Sequence, residues 1–194
     1  MSSSARSDTL ATVEAWLAAP AERRLELIDG ELHEKAAPDY LHGRTQLDVA
    51  QQVRPWFHHR GGGGRPGGWW IASEVDLLLQ GNGYRPDLVG WRRDRVPEVP
   101  PERPVTVRPD WVCEILSPGN ASTDTVKKLR KYQQAGIPHY WIVDPARRTL
   151  TVHRWAAEGY LTVLAAEAGE RVRAEPFEAI ELEVSALLGD EGSD

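Results

Sequence analysis

The spacing of apolar residues changes repeatedly along the chain, and each change predicts an element. Residues 8–18, "DTLATVEAWLA", read as a short helix capped by Asp8 or Thr9, with Leu10, Val13 and Leu17 on one side. "RLELIDGELHEK" reads as a hairpin of two short strands, because Asp29-Gly30 supplies the positive backbone angles of a tight turn. Residues 41–59 look helical, carrying Leu47, Val49, Ala50, Val53, Trp56 and Phe57, with Pro55 expected to kink or shorten the last turn. The segment 61–68, "GGGGRPGG", ends that helix and reads as a flexible loop without the features of a phosphate loop.

Strands are predicted at 69–80, "WWIASEVDLLLQ", and, after the turn "GNG", at 84–91, "YRPDLVGW". Five prolines within 97–109 make that stretch an irregular surface connection. A strand around 111–116 is followed by a helix capped by Ser122 or Thr123 and running to about Ala135, where Gly136 and Pro138 stop it. "HYWIVD", "RTLTVHRW" and "YLTVL" complete the strands. Strand, helix, strand over 110–144 is a crossover unit, which predicts an α/β fold with a partly parallel, mixed β-sheet flanked by helices. No internal repeat is present, and the polar end 189–194 is expected to fray.

Composition narrows the picture. At 194 residues, 41% hydrophobic with eight tryptophans, a single domain with a sizeable core is expected. The lone Cys113 cannot form an internal disulfide and reads as a small buried hydrophobe in a reducing compartment. No apolar run nears the ~18 residues that span a bilayer, and the start lacks a secretory apolar core, so a cytoplasmic location is expected. A net charge of −6 argues against a protein that coats nucleic acid by bulk positive charge, although "WRRDR" and "KKLRK" offer local basic clusters.

One residue resists the strand pattern. Trp111, Cys113 and Ile115 share one face, and Val112, Glu114 and Leu116 the other, so Glu114 is a carboxylate inside a strand covered on both sides. An ionised carboxylate there is costly unless a cation meets it. Asp87 in "RPDLVGW" is a second carboxylate of the same kind, following a proline that suits a strand start. Two such groups on neighbouring strands would repel by about 4 kcal/mol at ~4 Å under an effective dielectric of ~20, which asks for Mg2+ or Mn2+. Asp124, Lys128 and Tyr132 are spaced by four and share one helix face; packed on the sheet, the Lys128 ammonium can serve the carboxylates, whereas an exposed Asp124–Lys128 pair is the bland alternative.

The succession "ELIDGEL", "HGR", "RPDLV", "CEILSP" and "DTVKKLRKYQQAGIPHYWIVDP", over residues 25–155, resembles the Uma-type family, a bacterial group of restriction endonuclease-like proteins within the PD-(D/E)XK nuclease superfamily. The resemblance implies a restriction-endonuclease-like fold and a metal-dependent endonuclease acting on DNA. It implies Asp87, Glu114 and the Ile115 backbone carbonyl as metal ligands. Where the superfamily lysine normally stands there is Leu116, so the lysine role passes to Lys128 on the following helix, with Tyr132 lining the same pocket. Lys127 is about 100° around the helix from Lys128 and faces elsewhere.

Glu31 in "DGEL" and His42 in "LHGR" also match family positions, against the alternatives of an ordinary hairpin carboxylate and a helix-start residue with a local hydrogen bond. Glu74 in "ASEVDLLL" is a further candidate to approach the site, against the reading of a solvent-facing strand residue, and His58-His59 lack the further ligands a zinc site needs. "SPGNAS" departs from the Ser-Pro-Ser-Thr common in relatives. A homodimer is expected, so that two sites face two strands. RNA or single-stranded substrates, and a non-catalytic scaffold whose carboxylates and Lys128 close into a salt-bridge cluster, stand as alternatives.

Overall fold

The computed structural model describes residues 10–117 and 121–190, with the side chains of 121–125 outside the description. Helix α1 spans Val13–Ala18, and the Thr12 hydroxyl caps it by accepting from the Ala15 N–H at 3.2 Å. The expected caps Asp8 and Thr9 lie outside the described residues. Its buried side chain is Trp16, whose indole N–H donates to the Leu25 carbonyl at 2.6 Å, while Leu10 stays exposed. Strands β1 (Leu25–Ile28) and β2 (Glu31–Glu34) form the expected hairpin, with Asp29 and Gly30 both at positive φ.

Helix α2 (Tyr40–Phe57) is capped by the Asp39 carboxylate and buries His42, Thr45, Val49, Val53 and Phe57, a single stripe at three- and four-residue spacing. Leu47 and Trp56 fall off that stripe and are exposed. The glycine run that follows is not an open loop. It folds back into a turn in which the Gly67 N–H donates to Trp56 O at 3.0 Å and the Gly68 N–H to His59 O at 2.6 Å. All six of its glycines have positive φ, and a Cβ on Gly67 would lie 2.1 Å from the Gly61 nitrogen.

The long strand expected over 69–80 is two. Strand β3 (Trp69–Ser73) ends at Glu74, whose φ of 56° turns the chain out of one sheet, and β4 (Leu77–Leu79) enters another. Likewise β5 (Asn82–Tyr84) and β6 (Leu88–Arg92) are separated by Arg85-Pro86-Asp87, since Pro86 has no N–H to give a ladder. Then come β7 (Trp111–Ile115), α3 (Ala121–Gln134), β8 (His139–Asp144), β9 (Thr149–Ala156) and β10 (Gly159–Glu167).

The main sheet has the order β10-β9-β8-β7-β6-β3 and a smaller one the order β2-β1-β5-β4. Within the main sheet β7 and β8 run parallel across the predicted crossover helix, and the other neighbours are antiparallel. This is the mixed sheet flanked by helices that the patterning implied.

The two faces of β7 divide the core as its alternation predicted. Trp111, Cys113 and Ile115 pack with α2 residues Val49, Val53 and Phe57, whereas Val112 packs with Tyr132 and Tyr140 on the α3 side. The first face is closed by a C-terminal segment that patterning did not foresee: β11 (Arg171–Val172), β12 (Leu182–Glu183) and α4 (Val184–Leu187). Phe177 within it sits among Trp69, Trp111 and Trp141, with ring centroids 5.0, 4.9 and 5.6 Å away.

Edge strand β3 is blocked by side chains: the Ile71 N–H donates to His58 Nδ1 at 2.8 Å and Arg54 Nε donates to the Ile71 carbonyl at 3.4 Å. The proline-rich stretch is irregular but tied down, for Arg103 and Arg85 both bind the buried Asp76 carboxylate and Val105 bridges Leu77. Among the described residues no helix is long and apolar enough to cross a membrane.

Candidate active site

The break between β5 and β6 places Asp87 at the start of β6, where the register that pairs Leu88 with Cys113 sets it beside Glu114 of β7. Its side chain is wholly buried. Oδ2 accepts from the Ile115 backbone N–H at 2.7 Å, which ties the carboxylate across the two strands. Helix α2 reaches the same point: Gln46 Nε2 donates to the Asp87 carbonyl at 2.8 Å, and His42 Nε2 stands 3.2 Å from Oδ1 without a well-formed hydrogen bond. His42 Nδ1 meets the Ser117 hydroxyl at 3.0 Å.

Glu114 faces α3. Its Oε1 accepts from the Tyr132 hydroxyl at 2.7 Å and from Lys128 Nζ at 3.1 Å. On its other side Lys128 Nζ lies 3.1 Å from Glu26 Oε2, and its side chain is only 3% exposed. Glu26 Oε1 in turn accepts from the Arg85 backbone N–H at 2.9 Å. Lys128 thus bridges two buried carboxylates from different sheets.

Lys35, the residue after β2, closes the cluster. Its ammonium donates to Asp87 Oδ1 at 2.7 Å and to the Arg85 carbonyl at 2.9 Å, and lies 3.7 Å from Glu114 Oε2.

Burial works against the charged form of each carboxylate, and the neighbours decide the outcome differently at each. At Asp87 burial raises the pKa, but the His42 ring and the Lys35 charge overcome it and hold the carboxyl below its ordinary range. At Glu114 burial dominates, and the carboxyl is pushed up despite Lys128 and Lys35. Burial opposes the Lys35 ammonium as well, yet Glu114 and Asp87 together raise its pKa. Burial and Glu114 push the Tyr132 phenol well up, so it serves as a neutral donor.

Of the residues singled out from the sequence, Asp87, Glu114, Lys128, Tyr132 and His42 are brought together. Glu31 is not: its side chain is 69% exposed on β2 and pairs with His33 at 3.4 Å. The hairpin carboxylate that reaches the cluster is Glu26. Its signal was the one that picked out Glu114, a single acid in an apolar strand, here "LELI". The Asp124 side chain lies outside the described residues.

Lys127 is exposed, on a different face of α3 from Lys128. Glu74 is not a strand residue but a left-handed connector paired with Arg24 at 2.8 Å. His58 and His59 accept backbone N–H groups from Ile71 and Gly61. Lys35 had no periodic signal, because only the docking of the hairpin brings it to Asp87.

The basic cluster "WRRDR" lies at the far end of β6 from Asp87, with Arg92 paired to Asp94, Arg95 to Asp110 and Arg93 over the Trp70 ring at 3.3 Å. A cleft of about 420 Å3 lined by Trp70, Trp91, Val99 and Pro100 shares no residue with the charge cluster.

The donor set bears on the metal that the sequence suggested. Asp87 Oδ1, Glu114 Oε2 and the Arg85 carbonyl oxygen surround one position, and a cation, the Lys35 ammonium, stands in it. Oxygen donors around a cation are the chemistry of a hard divalent ion. Among the described residues no three His, Cys, Asp or Glu side chains converge on a metal position. Two carboxylates supplemented by carbonyl and water suit magnesium or manganese and not a structural zinc.

A family model described as "Uma2: Putative restriction endonuclease" matches residues 10–186. Among solved structures, one described as a "putative nuclease belonging to DUF820 from Anabaena variabilis ATCC 29413" is similar, with a TM-score of 0.71 and 21% identity over 91% of this chain and 97% of that one. At that identity the likeness is one of fold. No curated protein matches. A model that spans nearly the whole described chain settles the lineage: this protein is a member of the Uma2 family of restriction endonuclease-like proteins.

Proposed function

We propose that the protein hydrolyses phosphodiester bonds in nucleic acid, DNA first among them, with magnesium or manganese held by Asp87 and Glu114. The observation that carries this reading is the convergence of two buried carboxylates from adjacent strands on a single cation position, in a chain of this family. Bound there, with the Ile115 or Arg85 carbonyl as further oxygen, the ion would supply Lewis acidity toward a phosphate oxygen and acidify a water molecule.

The chain's own residues set up that chemistry. The Ile115 N–H fixes the plane of the Asp87 carboxylate, and Lys35 and His42 favour its ionised form. Tyr132 and Lys128 fix Glu114 through Oε1 and leave Oε2 turned toward Asp87 and Lys35. Lys128, bridged on both sides and scarcely exposed, acts through Glu114 as a positioning residue. The net charge of −6 places the burden of phosphate recognition on local contacts, and a two-fold dimer would offer one site to each strand.

A second reading has its own support. In a scaffold without catalysis the carboxylates would be closed by internal cations, and Glu26, Asp87 and Glu114 each have a lysine partner. One experiment separates the two: calorimetric titration with Mg2+ and Mn2+, with plasmid nicking in parallel, on the wild type, Asp87→Ala and Glu114→Gln. The nuclease reading expects metal binding and nicking in the wild type, and loss of both in either variant. Absence of binding to the wild type at millimolar metal would leave the scaffold.

A further inference from the structure

We infer that Lys35 is a built-in counter-ion that occupies the cation position between Asp87 and Glu114 and must swing out before a divalent metal enters. This rests on the metal reading above and adds the exchange that loading requires.

The geometry is that of an ion in a site. A single ammonium is held by three oxygens of three residues: Asp87 Oδ1 at 2.7 Å, the Arg85 carbonyl at 2.9 Å and, less closely, Glu114 Oε2 at 3.7 Å. The oxygens that would hold a metal, Asp87 Oδ1 and Glu114 Oε2, are the ones that face the Lys35 ammonium, so the two cations compete for the same donors. Lys128 does not compete, because it holds Oε1 of Glu114 and reaches toward Glu26, on the far side of the carboxylate.

Charge counting agrees with an exchange. Among the described side chains, Lys35 and Lys128 are two ammonium groups set against the three carboxyl groups of Glu26, Asp87 and Glu114, so withdrawal of Lys35 leaves Asp87 and Glu114 short of a cation. A route out is present as well. Lys35 is 12% exposed against 3% for Lys128, and it opens onto the exposed residues Ala36 to Asp39, which join β2 to α2 without regular structure. Its four-carbon stem lets the ammonium leave without moving the hairpin.

A site whose competent state is a minor population binds with an affinity reduced by that fraction. Isothermal calorimetry with Mn2+ on the wild type, Lys35→Met and Asp87→Asn reads this directly. Lys35→Met is expected to bind Mn2+ at least about tenfold tighter than the wild type, and Asp87→Asn to lose binding. A second measurement needs no variant at Lys35. Acylation of lysines in the wild-type protein, mapped by peptide mass spectrometry, is expected to show Lys35 protected without metal and several-fold more reactive with Mn2+, while Lys128 stays protected in both.

Metal binding that depends on Asp87, together with unchanged Lys35 reactivity and no gain in Lys35→Met, would overturn the exchange and leave the metal site standing. No binding to either the wild type or Lys35→Met at millimolar Mn2+ would overturn both.

Discussion

Replacing Lys128 by Met removes the ammonium that stands between Glu26 and Glu114 while nearly keeping the side-chain volume. Each contact is 3.1 Å long, and at an effective dielectric of ~20 each represents about 5 kcal/mol of gross attraction. Most of that offsets the desolvation of three buried charges, so the net loss follows measured breakages of buried pairs, about 3–5 kcal/mol. For a chain of this size that corresponds to a fall in Tm of roughly 10 °C. Urea denaturation followed by tryptophan fluorescence measures it, with eight tryptophans as reporters. Adding Glu26→Gln to the Met variant removes one of the two stranded carboxylates and is expected to recover part of the loss, so the effects of the two changes do not add. A loss below about 1 kcal/mol, or a double variant no more stable than Lys128→Met, would refute a buried bridge, because an exposed pair is worth no more than that.

Two further outcomes are expected. The Asp87 carboxyl is held below its ordinary value of 3.8, so its contribution to stability is complete above that pH and is lost as pH falls through the lower folded value; the stability gap between the wild type and Asp87→Asn, measured by urea midpoints, should be widest near neutrality and narrow below pH 3.8. Gly67→Ala should destabilise the fold by more than about 1 kcal/mol in the same assay, since the methyl group meets the Gly61 backbone and φ is +59°; a neutral result would mean that the glycine turn is open after all.

Much of the fold and most of the charge cluster were legible in the sequence. The crossover around Glu114, the Asp-Gly hairpin and the two faces of β7 followed from period and turn chemistry, which are local properties. What patterning mistook were positions where the backbone departs from its neighbours' geometry. Glu74, a non-glycine residue at positive φ, split one expected strand, and Pro86 split the other. Leu47 and Trp56 are among the apolar residues of α2 yet lie exposed, because the buried stripe includes His42 and Thr45, polar residues that a count of apolar positions ignores. In the site, Glu114 and Asp87 were visible because an acid in an apolar strand is costly. Glu26 carried the same mark, whereas Glu31, beside the turn, is exposed. Lys35 was invisible, because its meaning lies in a partner 52 residues away.

That separation bears on how the site assembles. Glu114 meets Lys128 across 14 residues and Tyr132 across 18, all within the β7-α3-β8 crossover, whereas Lys35 meets Asp87 only by closing a loop of 52. Closing the longer loop costs roughly 1 kcal/mol more chain entropy than closing the 14-residue one. The contact order of the site is therefore split: one carboxylate acquires its ammonium from its own local unit, while the other depends on a hairpin supplied by a distant stretch of chain. A partial opening that releases the hairpin would strip Asp87 of Lys35 and Lys128 of Glu26, yet leave Glu114 still bonded to its helix.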